Sequence, residues 1–283
     1  MRIFDMQIKP LIYAALNEDI KGGDITTEAI ALKKDPVTNC EVTAKKDCTV
    51  CGLQVFSTVF EIVTKNNYSI DFFCNEGENI SSMHRVILLK AKASDILCGE
   101  RTALNFLQHM SGIATTSYIA SKELRGLKTK ILDTRKTIPG LRLLQKYAVK
   151  TGGGENHRFD LSSGILIKDN HIKLAGGVKE AISAVREYYS GLNFKIEIET
   201  SSLSEVKEAV KAKADIIMLD NMDIKTMKKA VQIIDNKALT EASGNITTEK
   251  LRNIAEETGV DYISMGSLTN SIIPADFSLN FIP

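Results

Sequence analysis

Residues 215–266 read DIIMLDNMDIKTMKKAVQIIDNKALTEASGNITTEKLRNIAEETGVDYISMG, and they alternate between short apolar runs and longer amphipathic segments. The short runs are typical of buried strands, and the longer segments carry apolar residues at helical spacing. Strands that alternate with helices in this way predict a parallel sheet. The strand starts lie a little over twenty residues apart, a spacing that favours a (β/α) barrel.

The same alternation extends back to about residue 128, where three more strand-like runs occur, KTKILDTR, GILIKDN and FKIEIET. Six strands are fewer than the eight of a complete barrel, so we expect an incomplete one. Residues before about 110 instead combine short strands with helices, and a long helix follows them. We therefore predict an α/β fold, an incomplete (β/α) barrel at residues 109–283 with a smaller N-terminal α+β domain at residues 1–108. The last residues could pack back on the N-terminal domain.

The composition excludes several classes of partner. The chain has 283 residues, of which 43% are hydrophobic and 25% charged, with a net charge of +1. This charge argues against a nucleic-acid surface, which needs an excess of clustered Lys and Arg. No apolar stretch approaches the roughly 18 residues of a membrane span, and the N-terminus lacks a signal-peptide core. We expect a cytoplasmic protein without nucleic-acid or membrane partners.

The five cysteines include one close pair, Cys48 and Cys51. A single CxxC is weak support for zinc binding or redox chemistry, so we favour small buried hydrophobic residues. His84 and His109 have no polar neighbours in sequence and are expected to be structural. His171 is compatible with either a structural or a functional role.

Polar residues follow each predicted strand, where the chemistry of a parallel barrel takes place. Cations follow the early strands, carboxylates follow the next three, and small glycine-containing turns follow the last two. These residues are, in chain order, Arg135, Lys136, His157, Arg158, Lys168, Glu199, Asp220, Glu241, Ser243, Gly244 and Gly266.

Each group has a physical use. Arginines can clamp carboxylates through two hydrogen bonds, carboxylates can bind sugar hydroxyls or Mg²⁺, and glycine-containing turns let backbone N–H groups approach a phosphate. Alone, Arg135 or Lys168 is equally consistent with a surface residue, and the glycines at 152–154 with a flexible turn. Glu197 and Glu199 share one face of a strand, where two carboxylates are costly unless they are paired or solvated.

Several motifs resemble the quinolinate phosphoribosyltransferase family. They are LNEDIKGGDITT, GERTALNFLQHMSGIAT, KILDTRKTIPGLRLLQKYAVKTGGGENHR, LIKDNH, IIMLDNM and EASGNI, in the same order over nearly the whole chain. The resemblance implies an enzyme of NAD biosynthesis. It makes nicotinate mononucleotide, CO₂ and pyrophosphate from quinolinate and phosphoribosyl pyrophosphate, with Mg²⁺ as cofactor and a homodimer or a higher assembly of dimers.

The resemblance also implies roles for single residues. Arg135, His157, Arg158 and Lys168 would hold the two quinolinate carboxylates, and Arg101 would reach the site of a neighbouring subunit. Lys136 would lie towards the pyrophosphate, while Glu199 and Asp220 would face the ribose and the metal. The 5′-phosphate would contact Ser243, Gly244, Asn245 and Gly266. Asn245 stands where a glycine is common in the family, and asparagine tolerates the same left-handed backbone. Lys136, Lys168, Glu199 and Asp220 are the catalytic candidates.

Three other functions remain open. A phosphoribosyltransferase of the same fold could use another base, although one with fewer carboxylates would leave the cations uncompensated. A lysine at a strand end could form the Schiff base of a class I aldolase. The barrel could also bind a ligand without converting it.

Overall fold

The computed structural model describes residues 2–31, 33–192 and 194–282. The chain divides into two compact units. The first comprises the chain up to Tyr118, the segment Ile138–Gly153 and the chain from Ser271 onward, and the second comprises Ile119–Thr137 and Gly154–Asn270. The chain therefore passes between the units four times. The boundary after residue 108 stays a prediction.

The first unit is built around an antiparallel sheet with the strand order β12-β1-β5-β3. Its strands are β1 (Val37–Ala44), β3 (Ser69–Phe72), β5 (Arg85–Lys92) and β12 (Phe277–Ile282), and β2 (Cys48–Thr49) pairs separately with β4 (Asn79–Ile80). Its helices are α1 (Arg2–Asp19), α2 (Ile25–Ala31), α3 (Leu53–Val63), the first part of α4 (Ala93–Glu123) and α5 (Arg142–Thr151).

The core of the first unit is apolar, and α3 contributes Phe56 and Phe60 with ring centroids 5.2 Å apart. Glycine at position 152 is required by close packing, because a Cβ there would overlap the carbonyl oxygen of Ala114 and lie 2.7 Å from the Cβ of Ser117. Gly152 thus lets α5 end against α4, rather than forming a flexible turn or a phosphate site.

The second unit contains the predicted parallel sheet, with the strand order β6-β11-β10-β9-β8-β7. Its strands are β6 (Lys130–Leu132), β7 (Ile165–Ile167), β8 (Ile196–Thr200), β9 (Ile216–Asp220), β10 (Leu239–Ser243) and β11 (Tyr262–Ser264). Its helices are α6 (Asp169–Ala175), α7 (Val178–Tyr188), α8 (Leu203–Lys211), α9 (Ile224–Ile234), α10 (Thr248–Thr258) and α11 (Ser267–Asn270).

The barrel is incomplete at one place. β6 and β7 follow each other along the chain but lie at opposite ends of the strand order. On the side of β6 away from β11, the described residues form only an isolated parallel bridge, between Leu132 and Glu155. The six predicted strands and the predicted incomplete barrel are therefore confirmed. No helix in the described ranges is long and apolar enough to cross a membrane.

Successive side chains along these strands point to opposite faces of the sheet. In β8, Ile196 and Ile198 are buried hydrophobic residues, whereas Glu197 and Glu199 point to the opposite face, towards the barrel interior. In β10, Glu241 lies between Thr240 and Ala242 and also lines the interior. The fold thus carries three carboxylates into the barrel on two strands.

Candidate active site

A cavity of about 460 Å³ lies in the second unit, at the carboxyl ends of the strands. Its lining residues are Thr134, Arg135, Lys136, His157, Arg158, Leu166, Lys168, Glu199, Met218, Asp220, Asn221, Glu241, Ser243, Gly244, Asn245 and Ser264. The cations and carboxylates predicted from the strand ends of the barrel therefore surround one space.

Two arginines form the centre of the basic part of the cavity. Arg158 donates from Nη1 to the carbonyl oxygen of Gly164 at 2.8 Å. Burial lowers the pKa of Arg158, and the positive charge of Arg135 lowers it further. Two guanidinium groups close enough to repel each other favour an anionic ligand, because a carboxylate bound between them would offset that repulsion.

Lys168 joins the basic part to the acidic part. It directly precedes α6, and its backbone N–H donates to Nδ1 of His171 at 2.9 Å, which ties the start of this short helix to the end of β7. Its ammonium group lies 3.4 Å from Oε2 of Glu199. His171 thus has a structural contact beside a predicted substrate-binding residue.

Glu199 and Asp220 supply the predicted metal ligands. Asp220 accepts a hydrogen bond from Nδ2 of Asn221 at 2.7 Å, and both carboxylates line the cavity. Carboxylate oxygens suit Mg²⁺, which is commonly held by one or two carboxylates together with substrate phosphates and water. No third histidine, cysteine or acid of the described residues lies within ligand distance of this pair. These two carboxylates are therefore the residues that would hold a Mg²⁺ ion, with its other oxygens from substrate or solvent.

The glycine-containing turns have the backbone that an anion site needs. Gly244 has a φ of 103° and Asn245 a φ of 48°, so the asparagine adopts the left-handed conformation as expected. At Gly266, a Cβ would lie 2.9 Å from Cδ of Lys136. A side chain at position 244 would therefore crowd the cavity wall. Gly266 is not among the residues that line the cavity, and a side chain there would press on Lys136, which does line it.

Deeper in the barrel, His157 meets two carboxylates. Its Nε2 lies 3.1 Å from Oε2 of Glu197 and 3.8 Å from Oε2 of Glu241. Burial and the Glu197 carboxylate raise the pKa of Glu241 to about 7. The sequence indicated that Glu197 needs a partner but did not identify it, because the partner comes from the segment between β6 and β7 and not from a neighbouring strand.

Arg101 is the one predicted binding residue that lies in the first unit. It is exposed on α4, whose residues Ala103, Leu104 and Leu107 are buried. It lines a separate cavity of about 390 Å³ together with Asn105 and other residues of that unit. Its predicted role in a neighbouring subunit stays a prediction.

The CxxC cysteines and the two histidines outside the site have structural surroundings. Cys48 and Cys51 are buried and free, and burial raises the pKa of both thiols. Neither belongs to a set of three possible metal ligands in the described ranges. His109 contacts Gln145 at 2.9 Å, and His84 contacts the carbonyl oxygen of Phe73 at 3.3 Å.

Comparison with known proteins places the chain in a family. Two family models match it: "Quinolinate phosphoribosyl transferase, N-terminal domain" at residues 24–111, and the C-terminal domain of the same family at residues 113–280. The chain is 38% identical over 275 residues to a probable carboxylating nicotinate-nucleotide pyrophosphorylase of Bacillus subtilis (strain 168), with 97% of this chain and 93% of the relative covered.

Two further relatives agree. The carboxylating nicotinate-nucleotide pyrophosphorylase of Mycobacterium leprae (strain TN) is 38% identical over 274 residues, covering 95% of each chain. The solved structure of the nicotinate-nucleotide pyrophosphorylase from Francisella tularensis superposes with a TM-score of 0.92 at 39% identity, covering 98% of this chain and 97% of that one. Because both domains match in order and the similarity extends over nearly the full length, this chain belongs to the quinolinate phosphoribosyltransferase family.

Proposed function

We propose that this protein transfers the phosphoribosyl group of phosphoribosyl pyrophosphate to quinolinate. The products are nicotinate mononucleotide, CO₂ and pyrophosphate, so the protein is a carboxylating nicotinate-nucleotide pyrophosphorylase of NAD biosynthesis. One observation carries this proposal beyond family membership: Arg135, Arg158 and Lys168 line the same cavity as Glu199 and Asp220. A dianionic pyridine and a metal-bound sugar pyrophosphate need these two kinds of surface side by side.

The basic residues would bind the two quinolinate carboxylates. Arg135, Arg158 and Lys168 offer charged donors, and His157 is assigned to the same group by the family resemblance. A ligand with one carboxylate would leave part of this positive charge without a partner. Selectivity for quinolinate over nicotinate follows, because an unpaired buried charge costs free energy.

The opposite side of the cavity would bind phosphoribosyl pyrophosphate. Ser243, Gly244, Asn245 and Gly266 would contact the 5′-phosphate, since the backbone at 244 and 245 is left-handed and open. Lys136 would lie towards the pyrophosphate. Glu199 and Asp220 would face the ribose and hold Mg²⁺, and the bound ion would neutralise charge on the departing pyrophosphate.

The chemistry requires positioning and electrostatics more than covalent catalysis. The quinolinate nitrogen uses its lone pair to form a bond to C1 of the ribose, and the bond from C1 to the pyrophosphate oxygen breaks with its electrons. The positive charge that develops on the ribose is stabilised by the carboxylates of Glu199 and Asp220. No general base is needed, because the pyridine nitrogen has no proton to lose.

Loss of CO₂ completes the reaction. The bond between the ring carbon and the 2-carboxylate breaks, its electron pair stays on the ring carbon, and that carbon takes up a proton. Lys168 is a candidate for the proton donor, because it carries an ammonium group in the cavity that binds the carboxylates. Its proton would be replaced from solvent.

The assembly is part of the proposal. We expect a homodimer or a higher assembly of dimers in the cytoplasm, with Arg101 of one subunit contributing to the site of its partner. Arg101 is exposed on α4 and lines a cavity of its own unit, so a partner subunit has access to it.

The proposal is tested by offering quinolinate, nicotinate and nicotinamide separately with phosphoribosyl pyrophosphate and Mg²⁺. Products are identified by mass. Quinolinate should yield nicotinate mononucleotide and CO₂, and nicotinate should be a poor substrate. Equal turnover of nicotinate would contradict the assignment of the basic residues. Borohydride reduction in the presence of a carbonyl substrate should trap no adduct on Lys168, in contrast to a class I aldolase.

The metal assignment has a separate test. Removal of Mg²⁺ with EDTA should weaken binding of phosphoribosyl pyrophosphate, measured by calorimetry, and readdition of Mg²⁺ should restore it. Replacement of Asp220 by Asn should reduce this dependence on Mg²⁺. If phosphoribosyl pyrophosphate bound equally well in EDTA, Glu199 and Asp220 would not be the ligands of a metal ion that this substrate needs.

A further inference from the structure

Three titratable side chains meet in the barrel interior, His157, Glu197 and Glu241, here called the interior triad, and His157 and Glu241 also line the cavity. Their side chains are 10%, 8% and 2% exposed, and their potential ligand atoms all lie within 4.8 Å of one another. The proposed function assigns His157 to the substrate but gives neither glutamate a role. Buried carboxylates without a function are costly, so their presence needs an explanation.

The hydrogen bonds of His157 determine where its proton lies. The backbone N–H of Arg158 is 2.7 Å from Nδ1 of His157. A backbone N–H can only donate, so Nδ1 accepts and carries no proton. The ring proton is therefore on Nε2, which points to Glu197 at 3.1 Å from Oε2. These two contacts make His157 a donor to Glu197 and an acceptor from Arg158.

Glu241 then carries the second proton of the interior triad. It is 1% exposed, and its Oε1 is buried without a hydrogen-bond partner in the described part of the chain. Two ionised carboxylates this close in the interior would repel each other, and burial together with the Glu197 charge raises the pKa of Glu241 to about 7. Protonation of Glu241 removes this repulsion and leaves Glu197 as the acceptor of the His157 N–H.

The interior triad is connected to a substrate-binding arginine. His157 links Glu197 on one side to the backbone of Arg158 on the other, and its own backbone N–H donates to Oδ1 of the fully buried Asp133 at 2.9 Å. The guanidinium group of Arg158 is tied to Gly164. The His157 ring thus contacts the backbone from which the Arg158 side chain reaches the cavity.

We propose that Glu241 and Glu197 are positioning residues that orient His157 and, through its Nδ1, hold Arg158 in place to bind quinolinate. This proposal rests on the proposed function for its substrate. The contacts of the interior triad, however, lie within the protein itself and do not involve the substrate.

The first test compares Glu241→Gln with Glu241→Ala. Glutamine keeps the shape and the neutral state of the side chain, so KM for quinolinate should stay within about twofold of wild type. Alanine removes the support of Glu197, and KM for quinolinate should rise roughly tenfold or more, because hydrogen bonds to charged groups are involved. In both variants KM for phosphoribosyl pyrophosphate should change little. Equal loss in both variants would show that an ionised Glu241 is required and would overturn the proposal.

A second variant, Glu197→Gln, distinguishes a positioning role of Glu197 from a direct effect of its charge on quinolinate binding. It makes the surroundings of the cavity more positive, which by Coulomb attraction alone would strengthen quinolinate binding. If Glu197 acts through His157, binding weakens instead, and calorimetric titration with quinolinate measures the sign. Glu257→Gln is the matched control, because Glu257 is an exposed acid paired with Lys228 on the barrel surface. Tighter binding by Glu197→Gln would overturn the proposal.

A third measurement does not depend on activity or on the folding of a variant. The chain has 4 histidines, so ¹⁵N-histidine NMR of the wild-type protein resolves few signals, and His157→Gln identifies the pair that belongs to His157. The expected spectrum has an unprotonated Nδ1 and a protonated Nε2 near neutral pH. A doubly protonated ring would overturn the proposal, as would a stoichiometric metal ion that is lost in Glu241→Gln. If quinolinate is not a substrate but the spectrum is as expected, the proposed function fails while the orientation of His157 stands.

Discussion

Replacement of Gly244 by alanine tests the predicted phosphate site at its most constrained residue. Gly244 has a φ of 103°, a region that L-residues rarely adopt. A Cβ there would overlap the side-chain oxygen of Asn221 and lie 2.8 Å from its backbone nitrogen. Because backbone atoms cannot move as freely as a side-chain end, either the turn or Asn221 must shift.

The cost has two parts. The left-handed conformation costs alanine about 1–2 kcal/mol of folding free energy. The overlap adds a local displacement, and Asn221 transmits it, because its backbone N–H donates to Ser243 at 2.9 Å and its side chain donates to Asp220 at 2.7 Å. Gly244→Ala should therefore disturb both the phosphate turn and the neighbouring metal ligand.

Gly259→Ala is the matched control. Gly259 follows α10 in the same unit with a φ of 64°, and a Cβ there would meet no atom within 4 Å. Both variants should lose stability, measured by chemical denaturation, and Gly244→Ala should lose more because only its Cβ overlaps other atoms. Only Gly244→Ala should lose affinity for phosphoribosyl pyrophosphate in calorimetry with Mg²⁺, by about tenfold or more, which corresponds to about 1.4 kcal/mol. Equal affinity in the two variants would show that the phosphate binds elsewhere.

Three other changes have expected results. Arg135→Ala and Lys168→Ala should each weaken quinolinate binding by about 2–5 kcal/mol without unfolding the protein, and unchanged calorimetry would contradict their role. When inactive Arg101→Ala and Lys168→Ala subunits are mixed and form hybrid dimers, about a quarter of wild-type activity should return, whereas none returns if Arg101 acts in its own subunit. Folded Glu241 holds a proton up to about pH 7, whereas the unfolded chain releases it near its ordinary pKa of 4.5. The free energy of unfolding should therefore fall as pH rises between these values, and Glu241→Gln should lose this dependence.

The parallel sheet could be predicted because its elements are local. Each strand and helix of the barrel is an apolar run or an amphipathic segment that can be recognised without knowing its partners. The sequence did not predict α6 (Asp169–Ala175), because it has seven residues, none of them buried, and follows a strand directly. It also did not predict β12, whose residue Leu279 pairs with Val42 near the other end of the chain. Pairing over such a distance leaves no local signal.

The candidate site was predictable to the same extent. Residues at the strand ends or directly after them, such as Lys168, Asp220 and Gly244, line one cavity because parallel strands all end at the same side of a sheet. The interior partners of His157 were not predictable, because His157 lies in a segment whose path between β6 and β7 follows no periodic pattern. A signal was nevertheless present: Glu197 and Glu199 alternate with isoleucines on β8, which indicates two acids facing the interior and not one.

The degree of burial distinguishes the charge pair that a substrate can separate from the contact that stays intact. At the cavity mouth, Lys168 and Glu199 lie 3.4 Å apart, and the lysine side chain is 48% exposed. Such a pair contributes little free energy in water, so a quinolinate carboxylate and a metal ion can separate it at small cost. In the barrel interior, His157 and Glu197 are about nine-tenths buried, and breaking their contact would leave a carboxylate without a hydrogen bond in a poorly solvated place. In the proposed reaction, the pair of Lys168 and Glu199 would therefore exchange partners during each turnover, while the buried contact would keep Arg158 oriented.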